Sequence, residues 1–165
     1  FTVVGYTAYL FSMVVVGSEQ GSSPHASFSF GAGERALARR IHQMTSRLVS
    51  AAGAAAFLLT ATLAGRYGRL FVDSKTVLDF IRSGAALFAL SFLCSGFNAV
   101  TSFYFTATGR ALESAVISLS RGLVVLLVCI FLLPALWGMT GVWLAAPVTE
   151  GITLVLSLCY LRRRT

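Results

Sequence analysis

Long apolar runs alternate along this chain with short segments that contain most of its charges. No acidic or basic residue occurs in residues 1–18, 48–65, 83–109 or 122–147. A helix rises about 1.5 Å per residue, so about 20 apolar residues cross the ~30 Å hydrocarbon core of a bilayer. The pattern therefore predicts an all-α integral membrane protein. A soluble helical bundle would instead show amphipathic stripes.

The apolar runs predict five transmembrane helices and one segment at the membrane surface. Three apolar side chains of residues 74–82 share one face of a helix, opposite three charged ones, which is typical of a short interfacial helix. An irregular polar loop is the alternative for that segment. The five predicted spans are residues 7–30, 48–64, 85–107, 116–133 and 142–161.

The basic residues predict the orientation of the chain in the membrane. The net charge is +7 and the pI about 10, values that nucleic-acid-binding proteins also show. Here, however, the arginines follow the span ends and form no single basic face, so we expect no nucleic-acid partner. The loop at 31–47, the loop at 108–115, Arg121 and the C-terminal tail hold nine basic residues, against four between the second and third spans. By the positive-inside rule, the C-terminus is expected in the cytoplasm.

Two carboxylates and two amides lie inside the predicted spans. They are Glu19, Gln20, Asn98 and Glu150. A charge at the bilayer centre costs at least ~2.5–3.5 kcal/mol, so such groups usually serve pairing or transport. We therefore take all four as candidates for a substrate or ion pathway. A structural role remains equally open for Glu150, as a partner of Arg121 or of backbone groups near Pro147.

Prolines and glycines predict where these helices bend or end. Pro24 and Pro147 lie inside the first and last predicted spans, where each removes a backbone hydrogen bond and can kink the helix. Pro134 and the glycines after it predict a tight turn between the last two spans. His42 lies in the predicted basic loop, where we expect it to be solvated.

Small residues predict the faces on which the helices pack, since close contact in lipid depends on them. Gly17 and Gly21 are four residues apart on the first span. Residues 50–56 have almost no side chain larger than a methyl or hydroxymethyl group, and Ser91, Ser95 and Gly96 form a similar patch.

Several segments resemble the multidrug and toxic compound extrusion (MATE) transporters. Residues 20–33, QGSSPHASFSFGAG, are similar to the family's Q-G-x-x-P-x-x-S-x-x-x-G-A signature on its eighth helix. Residues 96–100, 104–105, 108–109 and 118–121 resemble the tenth helix and the start of the eleventh. Residues 133–138, 141–143 and 146–150 resemble the final turn and the twelfth helix. The similarity extends in order over the whole chain.

The resemblance implies a twelve-helix fold, of which this chain supplies helices 8–12. The seventh helix and the N-terminal lobe would then be its partners, together with the lipid bilayer. The chain opens on Phe1, beside an apolar run and without a signal-peptide start, so we expect a fragment of a longer protein. The family exports bulky, often cationic organic compounds in exchange for Na⁺ or H⁺ by alternating access, without a cofactor. Some branches have an acidic residue near the position of Asn98, which is neutral here.

Two other functions are kept open. The first is a flippase for lipid-linked precursors with the same architecture, which would line its cleft with arginines to hold pyrophosphate. The sequence places no arginine at mid-depth, since Arg121 is predicted at a helix edge, and it therefore favours drug export. The second is a non-transporting membrane subunit. An enzyme is not expected, because no nucleophile, metal or acid–base motif occurs.

Overall fold

Helices make up nearly all of the computed structural model, which describes residues 2–71 and 83–163. Residues 83–89 are helical and continue, after a turn at Leu90, into the helix that begins at Ser91. A π-helical turn, Ser120–Val124, connects the helices on either side of it. The described part contains no β-strand, which confirms the all-α class. The helices are α1 (Thr2–Gly31), α2 (Arg35–Phe71), α3 (Ser91–Ala107), α4 (Ala111–Leu119) and α5 (Val125–Arg163).

The second helix begins thirteen residues before its predicted start at 48. Only residues 32–34 separate α1 from α2, and Gly33 has a φ of +83° that glycine tolerates. The Glu34 carbonyl accepts bonds from the amides of Leu37 and Ala38, which starts α2. The predicted basic loop is therefore wrong. Arginine is a good helix former, and hydropathy marks only the apolar part of a helix, not where it begins.

Helix α5 reverses direction at Gly138, where φ is +56° and ψ is −134°. Cys129 and Leu133 pack in one cluster with Ala145. In a straight helix, residues 129 and 145 would lie about 24 Å apart, so a cluster that contains both requires that the chain of α5 folds back on itself. A Cβ on Gly141 would collide with the Leu133 carbonyl, so this glycine lets the arms approach. The reversal lies where the sequence predicts a tight turn.

Three helical segments among the described residues are long and apolar enough to cross a membrane. They are Arg35–Thr62, Ser83–Ala107 and Ala111–Arg163, and the last contains the reversal. Large apolar side chains such as Phe28 and Phe131 are exposed, as lipid-facing positions require. The count of five crossings stays a prediction.

The core lies where α1, α2 and α3 meet. Phe11, Val49, Phe92 and Val100 are buried together there. Two glycines of the predicted small-residue patches let α2 and α3 approach closely. A Cβ on Gly53 would collide with the Phe92 carbonyl, and a Cβ on Gly96 would collide with the Val49 side chain. These two patches therefore pack α2 against α3, as predicted.

The structure does not confirm three other predictions, which concern a glycine face, two proline kinks and the interfacial segment. In the described part, no atom lies within 4 Å of a Cβ placed on Gly17 or Gly21, so that predicted packing face is open. Pro24 and Pro147 lie inside α1 and α5, and their kinks stay predictions. The predicted interfacial segment, residues 74–82, falls outside the described residues.

Candidate functional site

Asn98 and Glu150, two of the predicted site residues, are hydrogen-bonded to each other between α3 and α5. The fully buried Asn98 donates from Nδ2 to Glu150 Oε2 at 2.8 Å and to the Glu150 carbonyl at 2.9 Å. Ser157 Oγ donates to Asn98 Oδ1 at 3.0 Å. Because both ends of the amide are bonded, its orientation is fixed, and one lone pair of Oδ1 is already used.

Arg121 completes this cluster. Its guanidinium lies 3.2 Å from Glu150 Oε1 and donates to Ser95 Oγ at 3.3 Å. The structural alternative for Glu150, a pair with Arg121, is therefore present. Arg121 belongs to the π-helical turn, a geometry that often occurs at functional sites.

The prediction that Arg121 marks a helix edge is wrong. α4 begins at Ala111, ten residues earlier, which is about 15 Å along a helix. In the sequence, Arg121 directly precedes the charge-free run of residues 122–147.

Hydroxyl groups hold α4 against α3 beside Arg121. Ser102 Oγ lies 2.9 Å from Ser114 Oγ and 2.8 Å from Ser118 Oγ, and Thr106 Oγ1 lies 2.7 Å from Ser114 Oγ. Interhelical hydroxyl bonds of this kind stabilise helix contacts in membranes by about 0.6 kcal/mol each on average. They fix the start of the π-helical turn and thus the position of Arg121.

Glu19 is buried on α1 without a hydrogen-bond partner for Oε1 among the described residues. Its side chain is 3% exposed. It lines a cleft of about 220 Å³ together with Arg121, Ser95 and Ser102. A second, very narrow cavity lies on its other side, towards His42 and Tyr104. The structure thus places three of the four candidates, Glu19, Asn98 and Glu150, around one arginine.

Gln20 is not part of this cluster. It is exposed, whereas the preceding Glu19 is buried. Consecutive helical residues point about 100° apart, so the two side chains face different surroundings. Its role in a pathway stays a prediction.

Sequence reasoning missed Ser157 and misplaced His42. Ser157 bonds to Asn98, and a spacing signal existed, because Thr149, Thr153 and Ser157 recur every four residues on one face of α5 and all are buried. The expectation that His42 is solvated is wrong. It is 6% exposed, and its Nε2 lies 3.2 Å from Thr101 Oγ1. This burial follows from the early start of α2.

Comparison with known families finds one match that covers most of the chain. A family model described as MatE matches residues 2–132, more than half of the sequence. No curated protein and no solved structure matches the chain.

Proposed function

Because the chain belongs to the MatE family of membrane transporters, we propose that it is part of a multidrug efflux antiporter. It would export organic, often cationic compounds in exchange for Na⁺ or H⁺ by alternating access, from a cell membrane, with its C-terminus in the cytoplasm. It would supply the last five helices of a twelve-helix transporter and work with the N-terminal lobe and the seventh helix. This assignment rests on the order of the motifs in residues 20–33, 96–121 and 133–150.

The observation that carries the proposal is the buried carboxylate of Glu19. Leaving a carboxylate in a membrane interior is costly unless a cation, a proton or a basic side chain balances it. Arg121 lines the same cleft but already contacts Glu150. Glu19 therefore has a free oxygen with which to hold a proton, Na⁺ or a cationic substrate in turn.

Glu150 and Asn98 would have a positioning role in this mechanism. Glu150 holds the Arg121 guanidinium, and Asn98 holds the carboxylate of Glu150. The cluster would keep the positive charge of Arg121 near Glu19. The attraction between the two side chains would depend on how closely Arg121 approaches Glu19. Binding of a cation at Glu19 and release of Arg121 towards Glu150 would then be linked.

The flippase alternative now has an arginine inside the bundle, which the sequence did not predict. Within the Glu19 cleft, a single guanidinium that already contacts Glu150 is a weak pyrophosphate clamp. A non-transporting membrane subunit is the remaining alternative, and it assigns no purpose to a buried carboxylate whose Oε1 has no hydrogen-bond partner among the described residues.

The test is ethidium efflux from cells that express the complete protein, with Na⁺ and H⁺ gradients imposed separately. Efflux driven by one gradient would support antiport and identify the ion. Glu19→Gln should remove the gradient dependence, whereas Glu34→Gln, at an exposed carboxylate, should leave it unchanged. No efflux under either gradient, with the protein present in the membrane, would reject drug export and favour the flippase.

A further inference from the structure

We propose that the pocket at the start of α2 binds a phosphate group, from either a lipid headgroup or a soluble phosphorylated compound. The pocket is distinct from the Glu19 cleft and has a volume of about 480 Å³, which is in the range of ligand sites. It lies where α2 and α4 begin and α3 ends. Its lining includes Arg35, Arg39, Arg110 and His42.

The charges of this pocket are all of one sign. The residues that line it include three arginines and no carboxylate. The ion pair between Arg121 and Glu150 involves none of these three arginines. Three like charges around one cavity repel each other, so an anion that bridges them would relieve that repulsion.

Aromatic rings limit the movement of two of these guanidinium groups. The Arg35 guanidinium lies 5.9 Å from the centre of the Phe30 ring, and that of Arg110 lies 6.0 Å from the centre of the Phe105 ring. Arginines held over rings keep their N–H groups available in a fixed direction, which lowers the entropic cost of binding.

Several features favour phosphate over a small inorganic anion such as chloride. A guanidinium group can donate two parallel hydrogen bonds to the oxygens of a phosphate. Three guanidinium groups therefore suit a ligand group with at least three acceptor oxygens. The first turn of α2, which has no acidic side chain, adds the positive end of a helix dipole. The remaining wall, which includes Phe97 and Tyr104, is aromatic and suits the organic part of the ligand.

The binding test compares two probes on the complete protein in detergent after removal of native lipid. Phosphatidylglycerol and inorganic pyrophosphate are titrated separately, and the rise of the thermal unfolding midpoint with probe concentration gives an apparent affinity. A response to phosphatidylglycerol alone identifies a lipid headgroup as the source. A response to pyrophosphate identifies a soluble ligand.

A matched pair of variants separates the pocket from general basic charge. Arg39→Gln with Arg110→Gln removes two charges from the pocket. Arg40→Gln with Arg47→Gln removes two charges from the same basic region, and neither residue lines the pocket. The first pair should weaken binding at least about tenfold, since it removes two charge-assisted contacts, and the control pair less than about twofold.

Two results would overturn the proposal: equal weakening by both pairs, which would indicate only nonspecific surface attraction, or no response to either probe. Arg39 is exposed, so its replacement removes no core contact. If the first pair lowers the unfolding midpoint without ligand, Arg39→Gln alone replaces it. The proposal does not depend on the transport function, because binding is measured without a gradient.

Discussion

Removing the charge of Glu150 should destabilise the contact between α5 and the π-helical turn. At the 3.2 Å separation from Arg121, Coulomb attraction is roughly 5 kcal/mol with an effective dielectric constant of 20. The side chains of Arg121 and Glu150 are 27% and 12% exposed, so solvent screens part of this attraction. Desolvation cancels much of the rest. We therefore expect a net coupling of about 1–3 kcal/mol.

A single substitution cannot isolate this coupling, because Glu150 also accepts a bond from Asn98. Glu150→Gln preserves the shape and an acceptor for that amide, whereas Arg121→Gln removes the guanidinium and its bond to Ser95. The two single variants and the double variant form a cycle. The loss of stability in the double variant is compared with the sum of the two single losses. The difference is the Arg121–Glu150 coupling alone, provided that neither single variant forms a new contact.

The assay is unfolding of the complete protein in mixed micelles with increasing SDS, followed by far-UV circular dichroism. The double variant should lose less stability than the sum of the two single losses, because each single variant leaves one charge without its partner. Glu34→Gln with Arg40→Gln, two exposed residues of the same charge types, is the control cycle and should give a coupling near zero.

A coupling below about 0.5 kcal/mol would refute the reasoning, since that value is the limit for independent sites. The ion pair would then be an incidental contact, and Glu150 would have to act through Asn98 alone. A coupling above about 1 kcal/mol together with unchanged efflux would assign the pair a purely structural role.

Two further predictions concern glycines. Gly53→Leu should disrupt the approach of α2 to the Phe92 carbonyl and lower the SDS midpoint strongly, whereas Gly17→Leu, where nothing lies nearby in the described part, should change it little. A similar loss in both variants would contradict the assigned packing. Gly138→Ala should cost about 1–3 kcal/mol of stability, because its φ of +56° with ψ of −134° is a backbone conformation that side chains with a Cβ rarely adopt. An unchanged unfolding midpoint would mean that the reversal tolerates an ordinary residue.

The helices of this chain could be predicted from sequence because lipid leaves so few alternatives. Every backbone polar group in hydrocarbon must bond within the chain, so a long apolar run is a helix. The turn near Gly138 and the glycine contacts between α2 and α3 were also predictable, since glycine marks positions where backbone must turn or approach closely.

The parts that escaped prediction depend on polar residues within helices. Hydropathy cannot tell whether Arg35 lies in a loop or on the first turn of a helix, because both positions are polar. The same ambiguity hid the burial of His42 beside Thr101. It also hid the depth of Arg121, whose partner lies 29 positions later in the sequence.

In the proposed antiporter, the position of Arg121 beside Glu150 and in the cleft of Glu19 would have a consequence for coupling. Glu150 lies on α5 and Glu19 on α1, and Arg121 contacts the first while it lines the cleft of the second. If the arms of α5 shift relative to α1 during alternating access, the Arg121 guanidinium can move from Glu150 to Glu19. Its positive charge would then stay close to a carboxylate throughout the movement. The charge that Glu19 presents to a cation would then depend on the conformation of the lobe. That dependence is what coupling requires, because an ion can shift a conformational equilibrium only through a difference in its affinity for the two states.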